Sequence, residues 1–309
     1  MSTLITGGGL IGSRAAELVR VRGDNPVIFD AAPLEAAGFT VERGDILHLP
    51  ELLACIKKHR PERLLHTASL LTPAGQERPY LTTQVNLVGT LNVLEAARLE
   101  GIRRVVYCSS STIYASTPAG QHLVPEDHPT GPNSVYAATK LAGEHLGRTY
   151  ARLFGFEFVT VRFAAVYGPS SHPGGGVSRV VHDAVLAAAR TGHATVPRRW
   201  RGTFELLHSH DAAVGLVAAA FSTVLAHDTY NVGSGDLRTV EEVAKIIAQH
   251  TGADVHVAEP QGAVEATPAA ALPALDISRA RSELNYAPCY DLESGIAELV
   301  RVTRTESSE

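Results

Sequence analysis

Short apolar and β-branched runs alternate with longer segments of helical periodicity over the first half of this chain. The runs lie at residues 3–6, 27–30, 63–66, 104–109 and 158–163. The segments between them carry apolar residues at spacings of three and four, and they lie at residues 11–22, 52–59, 85–99 and 135–154. Strands joined in this way need right-handed crossovers, which cover both faces of a parallel sheet. The alternation therefore predicts an α/β fold with a doubly wound parallel sheet.

The regular alternation ends at about residue 165. Prolines and three consecutive glycines predict a loop at residues 169–176, and a helical pattern follows at 177–190. Beyond an Arg-rich stretch at 197–202, the Ala- and Pro-rich residues 261–274 are expected to be extended.

At about 150 residues per domain, a chain of 309 residues predicts two units. We expect a first domain at residues 1–165 and a smaller C-terminal lobe at residues 166–309. A strand near residues 228–232 is expected to return to the main sheet.

The composition predicts a globular protein with a sizeable core, because 45% of the residues are hydrophobic and 19% are charged. A net charge of −5 offers no basic surplus for a nucleic-acid partner. The N-terminus lacks the features of a signal peptide, and the most apolar later window, residues 212–226, is too short to span a bilayer. We therefore expect a cytoplasmic protein with no nucleic-acid or membrane partner, and reduced thiols at Cys55, Cys108 and Cys289.

A glycine-rich turn follows the first predicted strand and opens the first predicted helix. It reads Gly7-Gly8-Gly9-Leu10-Ile11-Gly12, which satisfies the pattern G-x-G-x-x-G in a strand–turn–helix context. Glycine suits this turn because the backbone must approach a pyrophosphate closely, while the helix N-terminus supplies N–H groups and a positive dipole. Glycine clusters also make ordinary tight turns, but at the first turn of an alternating chain the pattern predicts a dinucleotide-binding domain.

Acidic residues follow two further strands at the same edge of the predicted sheet. Asp30 ends the second strand, where a carboxylate can accept both ribose hydroxyls of an adenosine and repel a 2′-phosphate. No Arg follows in Ala31-Ala32-Pro33, so the sequence favours NAD over NADP. Asp45 is a candidate acceptor for the adenine amino group. The alternative for both residues is a solvated acid at a strand end or turn.

Tyr136 and Lys140 are four residues apart in a predicted helix and therefore lie on one face. The pKa of a phenol is about 10, but a neighbouring ammonium and the positive ring of an oxidised nicotinamide favour the phenolate. Tyr136 is then able to take a hydroxyl proton while a hydride leaves the same carbon. A solvated Tyr–Lys pair is the alternative.

Hydroxyl residues, Ser109-Ser110-Ser111-Thr112, end the strand predicted at residues 104–109. Ligands of open parallel sheets bind at this carboxyl end of the strands. A hydroxyl there can bond the substrate oxygen and align its carbon. Ordinary turn chemistry is the alternative.

Taken together, these motifs resemble the extended short-chain dehydrogenases/reductases, the NAD-dependent epimerase/dehydratase family. The matching residues also include His66-Thr67-Ala68, Val85-Asn86 with Gly89-Thr90, Val161-Arg162-Phe163, Val166-Tyr167-Gly168-Pro169, His210-Asp211 and Asn231-Val232-Gly233. The resemblance covers nearly the whole chain. It implies a Rossmann-type NAD-binding domain, a C-terminal lobe that binds a small-molecule substrate, and a homodimer through the helices at 85–99 and 135–154.

The resemblance also implies roles for individual residues. Ser110 is the implied hydroxyl partner because it stands four residues before Tyr114, and Tyr136 and Lys140 complete the catalytic set. The residues implied for the NAD site are Gly7, Gly9, Leu10, Ile11, Gly12, Asp30, Asp45, Ile46, Thr67, Ala68, Asn86, Tyr136 and Lys140.

The chain departs from the family pattern in its glycine turn and beside its catalytic hydroxyl. The turn is one residue shorter than the usual T-G-x-x-G-x-x-G. Ser111 and Thr112 stand where members that dehydrate or decarboxylate nucleotide sugars have an acid. Neither hydroxyl can serve as a carboxyl general acid, which disfavours those two reactions.

Another departure concerns the substrate. Ala165 and Phe204 stand where nucleotide-sugar epimerases have an Asn and an Arg that hold the sugar and the diphosphate. Arg198, Arg199 and Arg201 are candidates to replace the missing charge, with a solvated loop as the alternative.

Two histidines and an acid lie close together at His208, His210 and Asp211. They fall where a strand passes into a helix, so Asp211 is expected to be an N-cap or a first-turn acid rather than a ligand. No metal site is predicted, and His208 is a candidate substrate-pocket residue.

The sequence thus favours an NAD-dependent oxidoreductase that moves a hydride at a secondary alcohol or ketone. The expected substrate is small and polar: a sugar, sugar acid, polyol or hydroxy amino acid. A nucleotide-sugar epimerase, in which the hydride leaves and returns, is the alternative. An NAD-sensing protein without turnover is disfavoured, because Ser110, Tyr136 and Lys140 are all present.

Overall fold

The computed structural model describes residues 1–34, 38–71, 77–117, 123–169, 176–198, 202–258 and 274–306. Its strands are β1 (Ser2–Thr6), β2 (Asn25–Asp30), β3 (Thr40–Arg43), β4 (Arg63–His66), β5 (Arg104–Ser110), β6 (Leu123–Val124), β7 (Glu157–Phe163), β8 (Ala165–Tyr167), β9 (His193–Pro197), β10 (Phe204–His208), β11 (Thr229–Val232), β12 (Leu237–Arg238), β13 (Asp254–Ala258) and β14 (Ala274–Leu275).

The helices are α1 (Leu10–Val21), α2 (Leu49–His59), α3 (Pro79–Thr83), α4 (Gly89–Glu100), α5 (Val135–Phe154), α6 (Gly176–Thr191), α7 (Ser209–Phe221), α8 (Val240–Thr251), α9 (Ser278–Leu284) and α10 (Leu292–Glu306). A π-helical turn, Gln84–Val88, joins α3 to α4, and a 3₁₀ turn, Ser111–Ile113, follows β5. None of the described helices has the length and apolar composition that crossing a bilayer requires.

The main sheet has seven strands in the order β3-β2-β1-β4-β5-β7-β11, and all neighbours are parallel. The predicted α/β fold with a doubly wound parallel sheet is confirmed. The strand order reverses between β1 and β4, and this switch point opens a crevice at the carboxyl edge of the sheet. The late strand β11 lies parallel to β7, with Thr229 opposite Thr160 and Val232 opposite Phe163.

Apolar layers cover both faces of this sheet, which explains why its strands read as continuous apolar runs. Ile5 faces the layer that includes Val19 of α1 and Leu216 of α7. Its neighbour Leu4 points the other way, into the layer that includes Val93 of α4. Successive side chains of β1 are therefore buried on opposite sides.

The second half of the chain adds a third core. β8, β10 and β12 form a three-stranded sheet, and β9 pairs with β13. Val185 of α6, Val243 of α8 and Ile296 of α10 pack together in this core. The division into two units near residue 165 stays a prediction. The segments predicted at 169–176 and 261–274 lie largely outside the described residues.

Helix α5 spans the predicted range, because both of its ends are specified locally. The Ser134 side chain accepts a hydrogen bond from the Ala137 N–H, and Gly155 closes the helix at a φ of 78°. The helix predicted at 85–99 is instead split, since the π-helical turn precedes α4. Extra residues of this kind are frequent at functional sites.

Candidate active site

The glycine turn joins β1 to α1 at the switch point of the sheet. Gly7 has a φ of 92°, and a Cβ there would lie 2.6 Å from the Ala68 nitrogen. A Cβ at Gly12 would overlap the Gly7 carbonyl oxygen. Both positions therefore require glycine, one for its backbone conformation and the other for the close packing of α1 on the turn.

The N-terminus of α1 fits a bound anion. Its N-cap is Gly9, no side chain caps it, and its first turn, which begins with Leu10 and Ile11, contains no acid. Among the described residues, a Cβ at Gly9 would meet nothing within 4 Å, so open space lies beside the positive end of the helix. These features match what a pyrophosphate needs: N–H groups, a favourable dipole and no side chain in the way.

Asp30 lies at the end of β2, beside the same turn. Its Oδ2 accepts a hydrogen bond from the Gly8 N–H at 2.6 Å, and its Oδ1 accepts one from the Ala32 N–H at 2.8 Å. A carboxylate has about four lone-pair sites, so Asp30 keeps capacity for the hydroxyls of a ribose.

The loop after β4 packs directly against the glycine turn. The Thr67 hydroxyl donates to the carbonyl oxygens of Thr6 and Gly7, at 2.9 and 2.7 Å. The Ala68 N–H also donates to the Thr6 carbonyl, at 2.8 Å. Thr67 and Ala68 therefore pack against the turn, and their place in the NAD site stays a prediction.

Asn86 holds this loop in place from the π-helical turn. Its Oδ1 accepts from the Leu70 N–H at 2.7 Å, and its Nδ2 donates to the Leu70 carbonyl at 3.0 Å and to the Thr139 hydroxyl at 3.3 Å. The amide is buried and its polar groups are engaged by the protein. By bonding the Leu70 backbone, Asn86 positions the loop that contains Thr67 and Ala68.

Asp45 and Ile46 follow β3 at the same edge of the sheet. Asp45 Oδ1 accepts from the Leu47 N–H at 2.9 Å, which stabilises its own turn. Ile46 is buried against Gly89, where a Cβ would collide with it. Asp45 is thus partly exposed, whereas Ile46 is packed in the core.

The three predicted catalytic residues meet at the carboxyl end of β5. Ser110 is 8% exposed, Tyr136 9% and Lys140 3%. The Ser110 hydroxyl is the neighbouring group that lowers the pKa of the Tyr136 phenol. Lys140 Nζ lies 5.7 Å from the Tyr136 ring centroid and donates to the Cys108 carbonyl at 2.8 Å. The fold therefore brings hydroxyl, phenol and ammonium together in one buried site.

Burial dominates the electrostatics of this site. It raises the pKa of Tyr136 well above its usual value, and the hydrogen bond with Ser110 offsets only part of that rise. Burial also lowers the pKa of Lys140 to about 8. Burial therefore outweighs the protein groups that favour the phenolate, and the phenolate that the sequence predicts in the presence of an oxidised nicotinamide stays a prediction.

Beneath the catalytic residues lies a buried polar network that the sequence patterns did not reveal. Glu144 of α5 is fully buried and accepts from Arg162 at 2.7 and 2.9 Å and from the Ser109 hydroxyl at 2.6 Å. Burial opposes ionisation of Glu144, but these hydrogen bonds and the Arg162 charge hold its pKa below the usual range. Arg162 also donates to the Tyr114 phenol at 3.0 Å, and Tyr114 donates to Asn231 at 2.6 Å.

This network connects α5 to the ends of β5, β7 and β11. A charged donor or acceptor left unpaired there is costly, so the network specifies the positions of these elements. Arg162 and Asn231 were noticed in the sequence only through the family resemblance. Glu144, one helical turn beyond Lys140, had no separate signal.

Position 204, where the resemblance implies a diphosphate contact, does not offer a polar group. Phe204 is buried in the core that α6, α8 and α10 share. Its partner across the β10–β12 pair is Arg238. Arg198 pairs with Glu241 of α8 at 2.5 Å, whereas Arg199 and Arg201 lie outside the described residues.

His208 lies at the end of β10 and is buried. Its ring stacks on Tyr290, with centroids 4.0 Å apart, and burial lowers its pKa to about 3. The ring nitrogen accepts from the His210 N–H, so His208 is the N-cap of α7 and Asp211 is a first-turn acid.

Comparison with known proteins agrees with this geometry. The profile of the NAD dependent epimerase/dehydratase family matches residues 3–233. A UDP-glucose 4-epimerase of Mycolicibacterium smegmatis is 30% identical, over 99% of this chain and 100% of that one.

Two solved structures resemble this chain over nearly its whole length. The UDP-glucose 4-epimerase of Thermus thermophilus, in complex with NAD, superposes with a TM-score of 0.88 at 28% identity, covering 98% of this chain and 99% of that one. MoeE5, in complex with UDP-glucose and NAD, has a TM-score of 0.85 at 27% identity, covering 99% of this chain and 100% of that one. These likenesses favour the epimerase alternative over a dehydrogenase of a small polar substrate. The chain belongs to the NAD-dependent epimerase/dehydratase family, a family of enzymes of the extended short-chain dehydrogenase/reductase type.

Proposed function

We propose that this chain is an NAD-dependent epimerase of a nucleotide sugar, which inverts a secondary alcohol carbon by transient oxidation. The observation that carries the proposal is the full-length likeness to the mycobacterial UDP-glucose 4-epimerase. The buried arrangement of Ser110, Tyr136 and Lys140 is suited to the chemistry. This proposal replaces the small-substrate dehydrogenase that the sequence favoured.

The residues of the glycine turn fit NAD. NAD, when bound, supplies a nicotinamide that can accept a hydride and return it. The uncapped N-terminus of α1 would hold the pyrophosphate, and Asp30 would accept hydrogen bonds from the ribose hydroxyls. Thr67 and Ala68, held by Asn86, border the same crevice.

Ser110, Tyr136 and Lys140 handle the proton. Ser110 donates a hydrogen bond to the substrate oxygen, and Tyr136 takes the proton of the substrate hydroxyl and later gives it back. The Lys140 ammonium, 5.7 Å from the centre of the Tyr136 ring, favours the phenolate once an oxidised cofactor adds its charge. Tyr136 and Lys140 are nearly inaccessible to water. The proton therefore stays in the site between the oxidation and the reduction steps of an epimerisation.

Arg238 is the described group best placed to bind a diphosphate in place of the arginine that position 204 lacks. Residues opposite each other in a strand pair share a face of the sheet, so the Arg238 side chain lies beside Phe204. Arg238 is 34% exposed and its Nε lies 2.8 Å from Asp236. A second carboxylate, Glu242, lies 3.7 Å from the same guanidinium, and a diphosphate of charge about −2 would compete with both acids for it.

The proposal is tested by incubating the protein with UDP-glucose and NAD and following the appearance of UDP-galactose. We expect conversion without net NADH release, and none by Tyr136→Phe, which removes only the phenol oxygen. Tyr136→Phe should still bind NADH within a few-fold of the parent. Calorimetry with NAD present should show micromolar UDP binding.

In the same titration, Arg238→Met should weaken UDP binding by about 10- to 100-fold, the equivalent of about 1.5–3 kcal/mol for one charged hydrogen bond. Arg179→Met is the matched control, because Arg179 forms a similar surface pair with Asp183 at 2.7 Å. Absence of UDP binding, together with NADH formation from free sugars or hydroxy acids, would instead support a dehydrogenase. That second candidate is favoured by the lack of polar groups at Ala165 and Phe204.

A further inference from the structure

Three side chains of metal-ligating types converge where α7 begins. His210 and Asp211 lie in its first turn, and Cys289 lies three residues before α10. The candidate ligand atoms, one from each side chain, all lie within 4.8 Å of one another. The sequence indicated His208, His210 and Asp211 as neighbours here. The fold adds Cys289, which lies 78 positions after Asp211 in the chain.

Asp211 is the fixed member of this cluster. It is fully buried, and its Oδ1 accepts from the Cys289 N–H at 3.0 Å while its Oδ2 accepts from the Tyr290 N–H at 3.0 Å. The Cys289 thiol donates to the same Oδ1 at 3.1 Å. A carboxylate held from two sides by backbone groups cannot turn away from the cluster.

Among the described residues, no cationic side chain pairs with Asp211 to balance its charge. In the described part of the chain its hydrogen-bond partners are two backbone N–H groups and a thiol. A buried carboxylate is stabilised by a nearby positive charge, and no Lys or Arg of the described residues forms an ion pair with it. The thiol proton occupies the place where a cation would neutralise the carboxylate.

The other two members are accessible enough to rearrange. Cys289 is exposed, and the half-buried His210 ring lies 5.7 Å from the Tyr290 ring. Zinc–sulfur bonds of about 2.3 Å and zinc–nitrogen or zinc–oxygen bonds of about 2.0–2.2 Å put tetrahedral ligand atoms about 3.3–3.6 Å apart. Rotation of Cys289 and His210 toward the fixed carboxylate closes this gap.

We propose that His210, Asp211 and Cys289 bind a zinc-type divalent cation, with solvent as the fourth ligand. On binding, the Cys289 S–H bond breaks, its proton leaves to solvent, and the sulfur bonds the cation without any change of oxidation state. Imidazole, thiolate and carboxylate together suit zinc, whereas calcium and magnesium prefer oxygen ligands alone. The site joins the start of α7 to the segment before α10.

The site is tested on the full-length protein after treatment with a chelator. Calorimetry should show one Zn²⁺ per chain with micromolar or tighter affinity, and Co²⁺ should produce a thiolate charge-transfer band. Cys289→Ser should weaken Zn²⁺ binding at least tenfold and remove the band, and His210→Gln should weaken binding at least tenfold. His256→Gln should change neither, because His256 pairs with Asp254 at 2.9 Å without a thiol.

A second measurement needs no variant. Cys55 and Cys108 are buried, so Cys289 is the thiol expected to react with a maleimide in the native protein. Saturating Zn²⁺ should slow that reaction at least tenfold, and a chelator should restore it. Absence of stoichiometric Zn²⁺ binding at micromolar concentration, unprotected Cys289, or binding that survives Cys289→Ser would each overturn the proposal.

Discussion

Lys140 lies in the least ordinary environment of the site. It is 3% exposed, donates to the Cys108 carbonyl, and has the rings of Tyr107 and Tyr136 at 5.1 and 5.7 Å. Burial penalises the ammonium, which is why the pKa falls to about 8. The residue that we propose for the chemistry therefore costs the fold some stability at neutral pH.

Lys140→Met should abolish turnover and change how stability depends on pH. The folded pKa of about 8 lies below the ordinary value of 10.5, so folding is penalised below pH 8 and the penalty fades as pH rises to 10.5. The free energy of unfolding of the parent should therefore gain about 3 kcal/mol relative to Lys140→Met across that window. Urea unfolding of both proteins at pH 7 and pH 10 measures the change, and a constant difference would contradict it.

Asp30 should determine the choice between NADH and NADPH. We expect the parent to bind NADH at least tenfold more tightly, about 1.4 kcal/mol, because the carboxylate repels a 2′-phosphate. Asp30→Asn keeps a side-chain oxygen for the Gly8 N–H but removes the charge, whereas Asp30→Ala removes both. Both variants should narrow the preference, and Asp30→Ala should also weaken NADH binding. Equal affinities in the parent would refute the role.

At the scale of an element, the start of α1 depends on two glycines for different reasons. Gly12 packs the helix onto the Gly7 carbonyl, whereas Gly9 borders open space. Gly9 has a φ of −72°, which an alanine also adopts. Gly12 is therefore required for the packing of α1, whereas Gly9 leaves space for the cofactor.

Gly12→Ala should destabilise the protein by at least about 2 kcal/mol, because its methyl group forces α1 away from the turn. Gly9→Ala should leave the melting temperature nearly unchanged but weaken NADH binding at least tenfold, because its methyl group enters the space assigned to the pyrophosphate. Thermal unfolding and NADH titration of the two variants check this contrast. Unchanged NADH affinity in Gly9→Ala would remove the pyrophosphate from that place.

Over the whole molecule, two buried histidines make stability depend on acid. His66 lies between the hydroxyls of Thr6 and Thr90, at 2.7 and 2.9 Å, and burial lowers its pKa to about 3. Burial lowers the pKa of His208 to about 3 as well, and this desolvation outweighs the Glu298 carboxylate, whose Oε2 lies 3.1 Å from His208 Nε2. His66 links β1, β4 and α4, while His208 lies between β10 and α7, so acid acts on both halves of the fold.

Both histidines should remain neutral in the folded protein while the unfolded chain takes up protons below about pH 6.5. Their stabilising contribution is full above pH 6.5 and is lost as the pH falls toward 3. Each should reduce the free energy of unfolding by about 1.4 kcal/mol per pH unit below pH 6. His208→Phe keeps an aromatic ring against Tyr290. It should reduce the pH dependence of the free energy of unfolding by the contribution of one proton, about 1.4 kcal/mol per pH unit. Denaturant unfolding from pH 7 to 4.5 measures both slopes, and equal slopes would contradict the prediction.

The homodimer through α4 and α5 stays a prediction at this scale. Exposed apolar side chains do lie on these helices or at their ends, namely Val88, Leu91, Leu99, Leu153 and Phe154. The size of the protein in solution would show whether they are covered by a second copy.

Features that depend on near neighbours in the chain could be predicted from the sequence. The strands and helices of the main sheet follow from the spacing of apolar residues, and α5 has the predicted bounds of residues 135–154. The glycine turn and the Tyr136–Lys140 pair are equally local, since dihedral requirements and helix faces are set within a few residues. The motifs that resemble the epimerase/dehydratase family likewise predicted NAD as the cofactor.

Features that depend on contacts between distant residues were decided by the tertiary structure. Examples are the Cys289 thiol on Asp211, Arg238 opposite Phe204, and the Asn86 amide that holds the loop after β4. The direction of the Lys140 ammonium, toward a carbonyl of β5, belongs with them. No local pattern specifies such pairs, because they form only where packing of the whole core brings two elements together and removes water from between them.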